Sequence, residues 1–264
     1  KIIFKMIRQS SSEIFSSIVK TMETKNINQI ESYSLMNRTD CKYVLNFKQA
    51  KQVFNSVKSK YFVLDVNSQR IQNYKSTYFD TEKKIFYHQH HNRKNNRSKI
   101  RFREYVDSDL IFFESKTKSK GRTKKIRKIV DCAAKKLNED HYSFIRNNTN
   151  ITNKLINCHQ NTFSRITLLA KESKERITID FNVKFYDENN TIELGNIIIV
   201  EVKQPRIDYN SYMLRSLKYY KIYPFRLSKY CIGTILIDKK IKHNRFKKKI
   251  LKINKLKKID NVLN

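Results

Sequence analysis

The chain has 264 residues, 39% of them apolar, with 16 Phe and 15 Tyr, enough for the core of one large domain or a domain with extensions. Its 56 Lys and Arg against 24 Asp and Glu give a net charge of +32, which calls for an acidic partner: nucleic acid, anionic lipid, or a phosphorylated molecule or polymer. Three Gly argue against a Gly-rich phosphate loop, and four scattered Cys without a Cys-x-x-Cys pair argue against a zinc site or a disulfide framework.

Residues 1–31 open on KIIFKMI, after which Ile14, Phe15, Ile18, Val19 and Met22 recur at helical spacing from Ser11 or Ser12. This N-terminal extension is expected to be helical. Ser32 to Leu45 reads as the first strand of the domain proper, with Arg38, Asp40 and Lys42 on one face. Asn46 can cap a helix whose Phe47, Ala50, Phe54 and Val57 form an apolar stripe. Asn73 to Asp80 and Ile85 to His90 read as two further strands. His88, His90 and His91 lack a matching carboxylate spacing, so metal ligation is not expected of them.

The stretch from Arg97 to Lys128 organises the rest. It holds twelve Lys or Arg against four acids. Lys99, Arg101 and Arg103 alternate with Ile100 and Phe102, the period-2 pattern of a strand with one charged and one apolar face. A second strand from Ile111 places Glu114, Lys116 and Lys118 on one side. Lys120-Gly121-Arg122 makes a turn, and Lys125 and Arg127 share a face on a third strand. Like charges across neighbouring strands repel one another, so the arrangement makes sense around a polyanion. A solvated basic face would more usually mix its signs.

Asp131 is expected to cap a helix running through Leu137 and Tyr142 to Ile145, followed by an Asn-rich loop or short helix at 147–161. Thr162–Ala170 and Arg176–Tyr186 read as a strand pair, the second setting Arg176, Thr178 and Asp180 opposite Ile177, Ile179 and Phe181. Ile197 to Lys203 is the most hydrophobic strand and puts Glu201 and Lys203 on one face. Asp208 is expected to cap a helix carrying Tyr212, Met213 and Leu217 that ends before Pro224. Ser228-Lys229-Tyr230 then leads into the apolar run Ile235–Ile237. Residues 239–264 form a tail of eleven cations and one acid, in which Phe246, Ile250 and Ile253 recur at helical spacing as in an interfacial amphipathic helix. That tail is a candidate for docking on an anionic membrane surface or for capturing an emerging polyanion, with a disordered, solubilising tail as the alternative.

About eight strands with few helices between them point to an α+β fold, an eight-stranded antiparallel β-tunnel with helices packed outside. Alternation in a closed sheet sends one face to the lumen. Here that face is charged, and the apolar face is left to pack against the helices.

Arg38-Thr39-Asp40-Cys41-Lys42-Tyr43 resembles the RxExKY opening of the VTC (vacuolar transporter chaperone) polyphosphate polymerase domain, a member of the triphosphate tunnel metalloenzymes. Tyr78-Phe79-Asp80-Thr81, KIRFREY at 99–105, FFESKTK at 112–118, KKIR at 124–127, IVEVK at 199–203 and SKY at 228–230 are similar to that family's motifs, in its order. The resemblance runs from about Tyr33 to Asp238 and implies a tunnel domain at 32–238, between the extension and the tail. It implies that basic residues hold ATP and a growing polyphosphate chain while the γ-phosphoryl group is transferred and ADP released. It also implies help from a divalent metal, manganese before magnesium.

Phosphoryl transfer leaves the protein mainly positioning and charge stabilisation. Arg101 and Arg103 supply fork-shaped donors suited to phosphate oxygens. Together with Lys42 and Lys116 they are expected at the reacting phosphates. Lys125, Arg127, Arg165, Lys203 and Lys229 are expected to hold the chain. Glu201 is the expected metal ligand, because a hard cation bound to triphosphate needs only one or two protein carboxylates. Glu114 is expected to pair with neighbouring cations, and Asp180 is a weaker carboxylate candidate. One departure from the family pattern is Asp40, one methylene shorter than the usual first-strand glutamate.

A triphosphatase of the same superfamily and a non-catalytic polyanion-binding module are the alternatives. Specific nucleic-acid binding is not expected. It calls for aromatics interleaved with the cations for base stacking, whereas here the aromatics of the central stretch fall on the opposite face. The Cys usage fits a reducing, cytoplasmic setting, with membrane association possible only through the tail, since no apolar run reaches the roughly 18 residues of a spanning helix.

Overall fold

The computed structural model describes residues 11–33 and 38–262; the KIIFKMI segment lies outside the described residues. In chain order the strands are β1 (Thr24–Asn26), β2 (Thr39–Leu45), β3 (Tyr61–Asp65), β4 (Gln72–Asp80), β5 (Arg97–Tyr105) and β6 (Leu110–Ser119). They continue with β7 (Arg122–Val130), β8 (Ile156–Ala170), β9 (Arg176–Tyr186), β10 (Thr191–Glu193) and β11 (Ile198–Gln204). The helices are α1 (Ser11–Lys20), α2 (Phe47–Val57), α3 (Ile85–His91), α4 (Glu139–Asn148), α5 (Tyr212–Tyr219), α6 (Lys229–Ile237) and α7 (Lys247–Val262).

Eight strands pair antiparallel in the order β2-β11-β9-β8-β4-β5-β6-β7. Short β1 and β3 extend the sheet beside β8, and β10 pairs with β9. Alternation sets the lysines, arginines and their carboxylates on one face and most of the apolar core on the other; the charged face also carries Tyr74 and Tyr78 of β4, Tyr105 of β5 and Phe112 of β6, so these aromatics share the cations' surface where the sequence pattern had placed the aromatics opposite. The sheet curls around the charged face. Lys116 on β6 comes close enough to Lys42 and Asp40 on β2, and to Glu201 on β11, for their charges to act on its ammonium group. The β6–β7 hairpin turns through Lys120 and Gly121, both at positive φ (45° and 83°), which is where a glycine is needed.

The apolar face carries the helices. Tyr43, Leu45, Ile166, Leu168, Ile177, Ile179, Val200 and Val202 pack against Phe15, Ile18 and Val19 of α1, Ala50, Val53 and Phe54 of α2, and Met213 and Leu217 of α5. Phe79, Ile100, Phe102 and Phe113 pack against Phe86 of α3 and Ile145 of α4. The extension expected at 1–31 therefore contributes α1 to the main core. Asn46 caps α2 through a reciprocal capping box with Gln49.

Several expected elements differ in the structure. Ile85–His91 is a helix rather than a strand, because the buried Asp80 carboxylate accepts the backbone N–H groups of Phe86 and Tyr87 at 2.9 Å each and organises its first turn. The helix placed from Asp131 begins instead at Glu139, where Asn138 forms a capping box with His141. The Asn-rich stretch supplies the start of the 15-residue β8, paired to β4 and β9. The helix after β11 starts at Tyr212 and is capped by Ser211, while Asp208 is tied into a turn by Gln204. Ile235–Ile237 is the end of α6, which Ser228 caps.

The basic tail forms α7, whose approach to the body is set by apolar spacing. Phe246 packs with Tyr87 and Tyr230, and Ile253 and Leu256 pack with Leu227, Ile232 and Ile197. Lys249 and Lys257 donate to the carbonyls of Arg226 and Glu193, while Lys247, Lys248, Lys252, Lys255 and Lys258 are exposed. The apolar stripe that would lie in a membrane interface is thus occupied by the domain's own core.

Candidate active site

Strand register places the charged residues in rows across the concave face, since residues directly opposite one another share a face. Lys42, Glu201, Thr178 and Thr167 form one row across β2, β11, β9 and β8. Lys203 and Arg176 lie in the next. Lys99, Lys116 and Lys125 face one another across β5, β6 and β7, and Arg101, Glu114 and Arg127 form the row beside them. Arg103 is paired with Ser76 of β4, itself opposite Asn161 of β8. Lys229, the first residue of α6, reaches the same face. Every expected site residue is therefore on one surface.

Three carboxylates there each clamp two cations. Glu114, 3% exposed at its side chain, accepts from Arg101 Nε and Nη2 at 2.8 and 2.6 Å and forms an ion pair with Lys125 Nζ at 2.6 Å. Asp180 accepts from Arg165 Nε and Nη2 at 2.5 and 2.8 Å and pairs with Lys229. Glu201 pairs with Lys42 and, at 3.0 Å, with Lys203, which also donates to Thr178 Oγ1 at 3.2 Å. Burial alone would raise these carboxyls, but the paired cations win. Glu114 is held down to about 2 by Arg101 and Lys125, Asp180 well below the ordinary range by Arg165 and Lys229, and Glu201 likewise by Lys203 and Lys42. All three stay ionised and hold their cations in fixed positions.

The cations remain in excess. Among the described residues Arg103 has no carboxylate in salt-bridge range; its guanidinium lies 5.4 and 5.3 Å from the ring centroids of Tyr74 and Phe163. Arg127 lies 4.3 Å from the Phe112 centroid. Burial, reinforced by neighbouring cations, pushes Lys99, Lys125 and Lys203 down to about 8 despite attraction from nearby acids, and Arg103 to about 10. Lys116 and Lys229 are lowered for the same reason. The surface is thus short of negative charge and improves electrostatically when phosphate arrives. Tyr78 shows the same field: burial would raise its phenol, but Arg101, Arg103 and Lys99 bring it to about 8, and Arg101 Nη1 lies 3.3 Å from its oxygen.

For a metal, the donor set offers single carboxylates rather than a cage. Among the described residues no group of three or more His, Cys, Asp and Glu could hold an ion. A hard cation would have to take most of its oxygens from phosphate and water, and Glu201, the ligand expected from the sequence, has one oxygen paired with Lys42 and the other with Lys203. Asp40 is turned toward Arg38, at 2.9 Å. His91 is engaged by Asn92 and Asn244 at the α3 end, away from this face. Sequence reasoning omitted Arg176, Lys99 and Tyr78 from the site; the first two lay in alternation patterns already visible, whereas Tyr78 carried no charge signal.

A cavity of about 560 Å³ opens along this face, with Arg127, Arg165, Arg176 and Lys203 in its walls.

A family model described as VTC domain matches residues 37–237. No curated protein matches the sequence. Among solved structures, the chain is similar to a putative adenylate cyclase from Vibrio parahaemolyticus, with 14% identity, a TM-score of 0.45, and 76% of this chain and 99% of that one covered. It is similar to a putative adenylate cyclase from Bacillus halodurans, with 12% identity, a TM-score of 0.47, and coverage of 73% and 96%. The PH1819 protein from Pyrococcus horikoshii OT3 is similar at 14% identity, with a TM-score of 0.42 and coverage of 77% and 99%.

Proposed function

The chain belongs to the VTC domain family, and from that premise we propose that it is an ATP-dependent polyphosphate polymerase, transferring the γ-phosphoryl group of ATP to a growing chain inside the curl. The observation that carries this reading is the composition of the concave face: cations in rows along its length, with each buried carboxylate already committed to two of them. Such a surface suits retention of a long polyanion better than hydrolysis of a short one, which calls for carboxylates free to build metal sites.

The residues divide the work by geometry. Glu114 presents the Arg101 fork and Lys125 in a preset orientation, so little reorganisation remains when phosphate binds. Arg103, which no carboxylate among the described residues pairs, is ready to take phosphate oxygens, and Lys116 adds a point charge between Lys99 and Lys125. Lys42, Lys203, Arg165, Lys229 and Arg127 hold further phosphates along the walls. A divalent cation, manganese before magnesium, would use Glu201 and phosphate oxygens and would supply charge neutralisation on the transferring group. The exposed lysines of α7 are where an anionic membrane surface or an emerging chain would meet the domain, by charge alone.

Arg101→Ala, Arg103→Ala and Lys116→Ala should each lower polyphosphate synthesis by a factor on the order of 10², the scale for loss of a preorganised donor. Polyphosphate binding, shared among many cations, should fall far less. Equal, modest losses in binding, with no ATP-dependent synthesis by the parent, would leave a polyanion-binding module as the better reading.

A further inference from the structure

The two walls that face one another across the curl end in different ways. On one side β2 is the end strand, and its edge is covered: the Phe225 N–H, in the segment leading into α6, donates to the Lys42 carbonyl at 2.6 Å. On the other side β7 is the end strand, and among the described residues no strand or backbone hydrogen bond covers its outer edge. Arg122 to Lys125, Arg127 and Ile129 are exposed along it. Lys125, Arg127 and Ile129 belong to the inward face, opposite Lys116, Glu114 and Phe112. In a sheet closed on itself such residues are enclosed by the facing wall. Here the Lys125 side chain is 39% exposed and Ile129 65%, while the side chains of Lys203, Asp180 and Lys229, deeper in the curl, are 8%, 4% and 13% exposed.

The composition of β7 keeps this seam from zipping. The strand carries five cations and no acid in nine residues, the kind of edge that resists pairing with another strand. A ladder to β2 would set these cations against Lys42, and like charges opposite one another destabilise a strand pair. The site is therefore a slot whose open side runs the length of β7, about 30 Å at the ordinary rise of a strand.

We propose that polyphosphate enters and leaves this slot sideways, past β7, so that the domain takes hold of the interior of a chain and needs no free end. The inference rests on the reading of the concave face as a polyphosphate site. Arg122, Lys124, Lys125 and Arg127 meet the chain first and draw any stretch of it by charge. The stretch then settles against Arg101, Arg103 and Lys116, where it relieves the repulsion among crowded cations. Every inner phosphate presents the same pair of oxygens, so a slot reads any stretch alike. A channel entered only at its mouths must wait for an end.

The test uses polyphosphate coupled to biotin at both terminal phosphates, with and without streptavidin on each end, and the full chain at physiological salt without nucleotide. Streptavidin, a folded protein, is far wider than a phosphate chain and blocks threading from either end. The capped chain should bind within about twofold of the uncapped one. A complex formed first and capped afterwards should release its chain to competing polyphosphate within about twofold of the uncapped rate. Arg103→Ala, which orphans no described carboxylate, should weaken both chains alike, roughly threefold, and so place them in the curl rather than on the outer surface. Lys116→Ala repeats that measurement at an exposed position of the same face. Capped binding reduced about tenfold or more, or a chain trapped by caps added after binding, would overturn side entry while leaving the concave face as the polyphosphate site. Capped binding that neither substitution moves, while uncapped binding falls, would overturn it too. If neither substitution weakened either chain, the concave face would not be the polyphosphate site and both readings would fall. None of these outcomes depends on synthesis, so a chain that loads sideways but makes no polymer keeps the slot and loses the polymerase reading.

Discussion

Replacing Glu114 by Gln removes the carboxylate that holds Arg101 and Lys125 while keeping the side chain's size. The wild-type carboxyl lies at about 2 instead of its ordinary 4.5, and at 2% exposure solvent screening does little to weaken it. A depression of that extent corresponds to about 3 kcal/mol in favour of the folded, ionised state. Breaking a buried pair by removing one partner typically costs about 3–5 kcal/mol, because the remaining charge is left uncompensated. For a chain of this length, each kcal/mol moves the melting temperature by roughly 2–4 °C, so Glu114→Gln should melt roughly 10 °C below wild type at pH 7. The same change removes one negative charge from a surface that binds anions, so added polyphosphate should narrow the gap. Thermal melts of both proteins, with and without polyphosphate, check this. A drop of only about 1–2 °C, or a gap that polyphosphate leaves unchanged, would refute the clamp. The sign with pH follows from the depressed carboxyl. This stabilisation is complete above the ordinary value of 4.5 and disappears as pH falls towards 2, so the two proteins should converge in acid.

The buried lysines carry the opposite pH signature. Lys99 and Lys203, held at about 8 against an ordinary 10.5, make the unfolded chain the better proton binder between those values, so the ligand-free domain should gain stability as pH rises through that window. Polyphosphate should reverse this by drawing protons onto the lysines, and titrations near pH 8 in buffers of different ionisation enthalpy should register proton uptake; absence of uptake would contradict the lowered lysines. Truncation after Asp238 removes Phe246, Ile253 and Leu256, buried residues worth about 1.5–3 kcal/mol each when fully enclosed, and should depress melting by more than about 10 °C or prevent soluble expression. A truncated chain that melted with the full one would show that α7 is dispensable to the core. Glu201→Gln should abolish metal-dependent turnover yet keep or improve nucleotide binding, because it also frees Lys42 and Lys203; normal turnover across a manganese titration would move the metal assignment to Asp40 or Glu114.

Strand alternation made the sheet legible, because a period of two is a local property. Lys99-Ile100-Arg101-Phe102-Arg103 fixes its two faces whatever the neighbours are, and Arg176-to-Tyr186 appears with the bounds read from the sequence. What failed was set by contacts distant in the chain or by competing caps. Ile85–His91 lacks strict alternation, and its helical state depends on Asp80, a carboxylate five residues upstream that also binds Tyr230 of α6. Asp131 and Asp208 looked like caps, yet Asn138 and Ser211 took that role with better-placed partners. The tail's apolar spacing was visible, but spacing alone cannot distinguish a membrane interface from the domain's own Leu227 and Tyr87. For the site, charge marked the cations well. The pairing of Glu201 with two lysines required the register of β2 against β11.

The most direct test of the central claim is incubation of the purified full chain with ATP and manganese, following ADP release and chain growth together. Polyphosphate should accumulate with one ADP released for each phosphate added, and Arg103→Ala should suppress both. ADP and free orthophosphate appearing without polymer would make the protein a triphosphatase. Retention of added polyphosphate with no ADP formed under any divalent metal would make it a binding module, and either result would contradict the account.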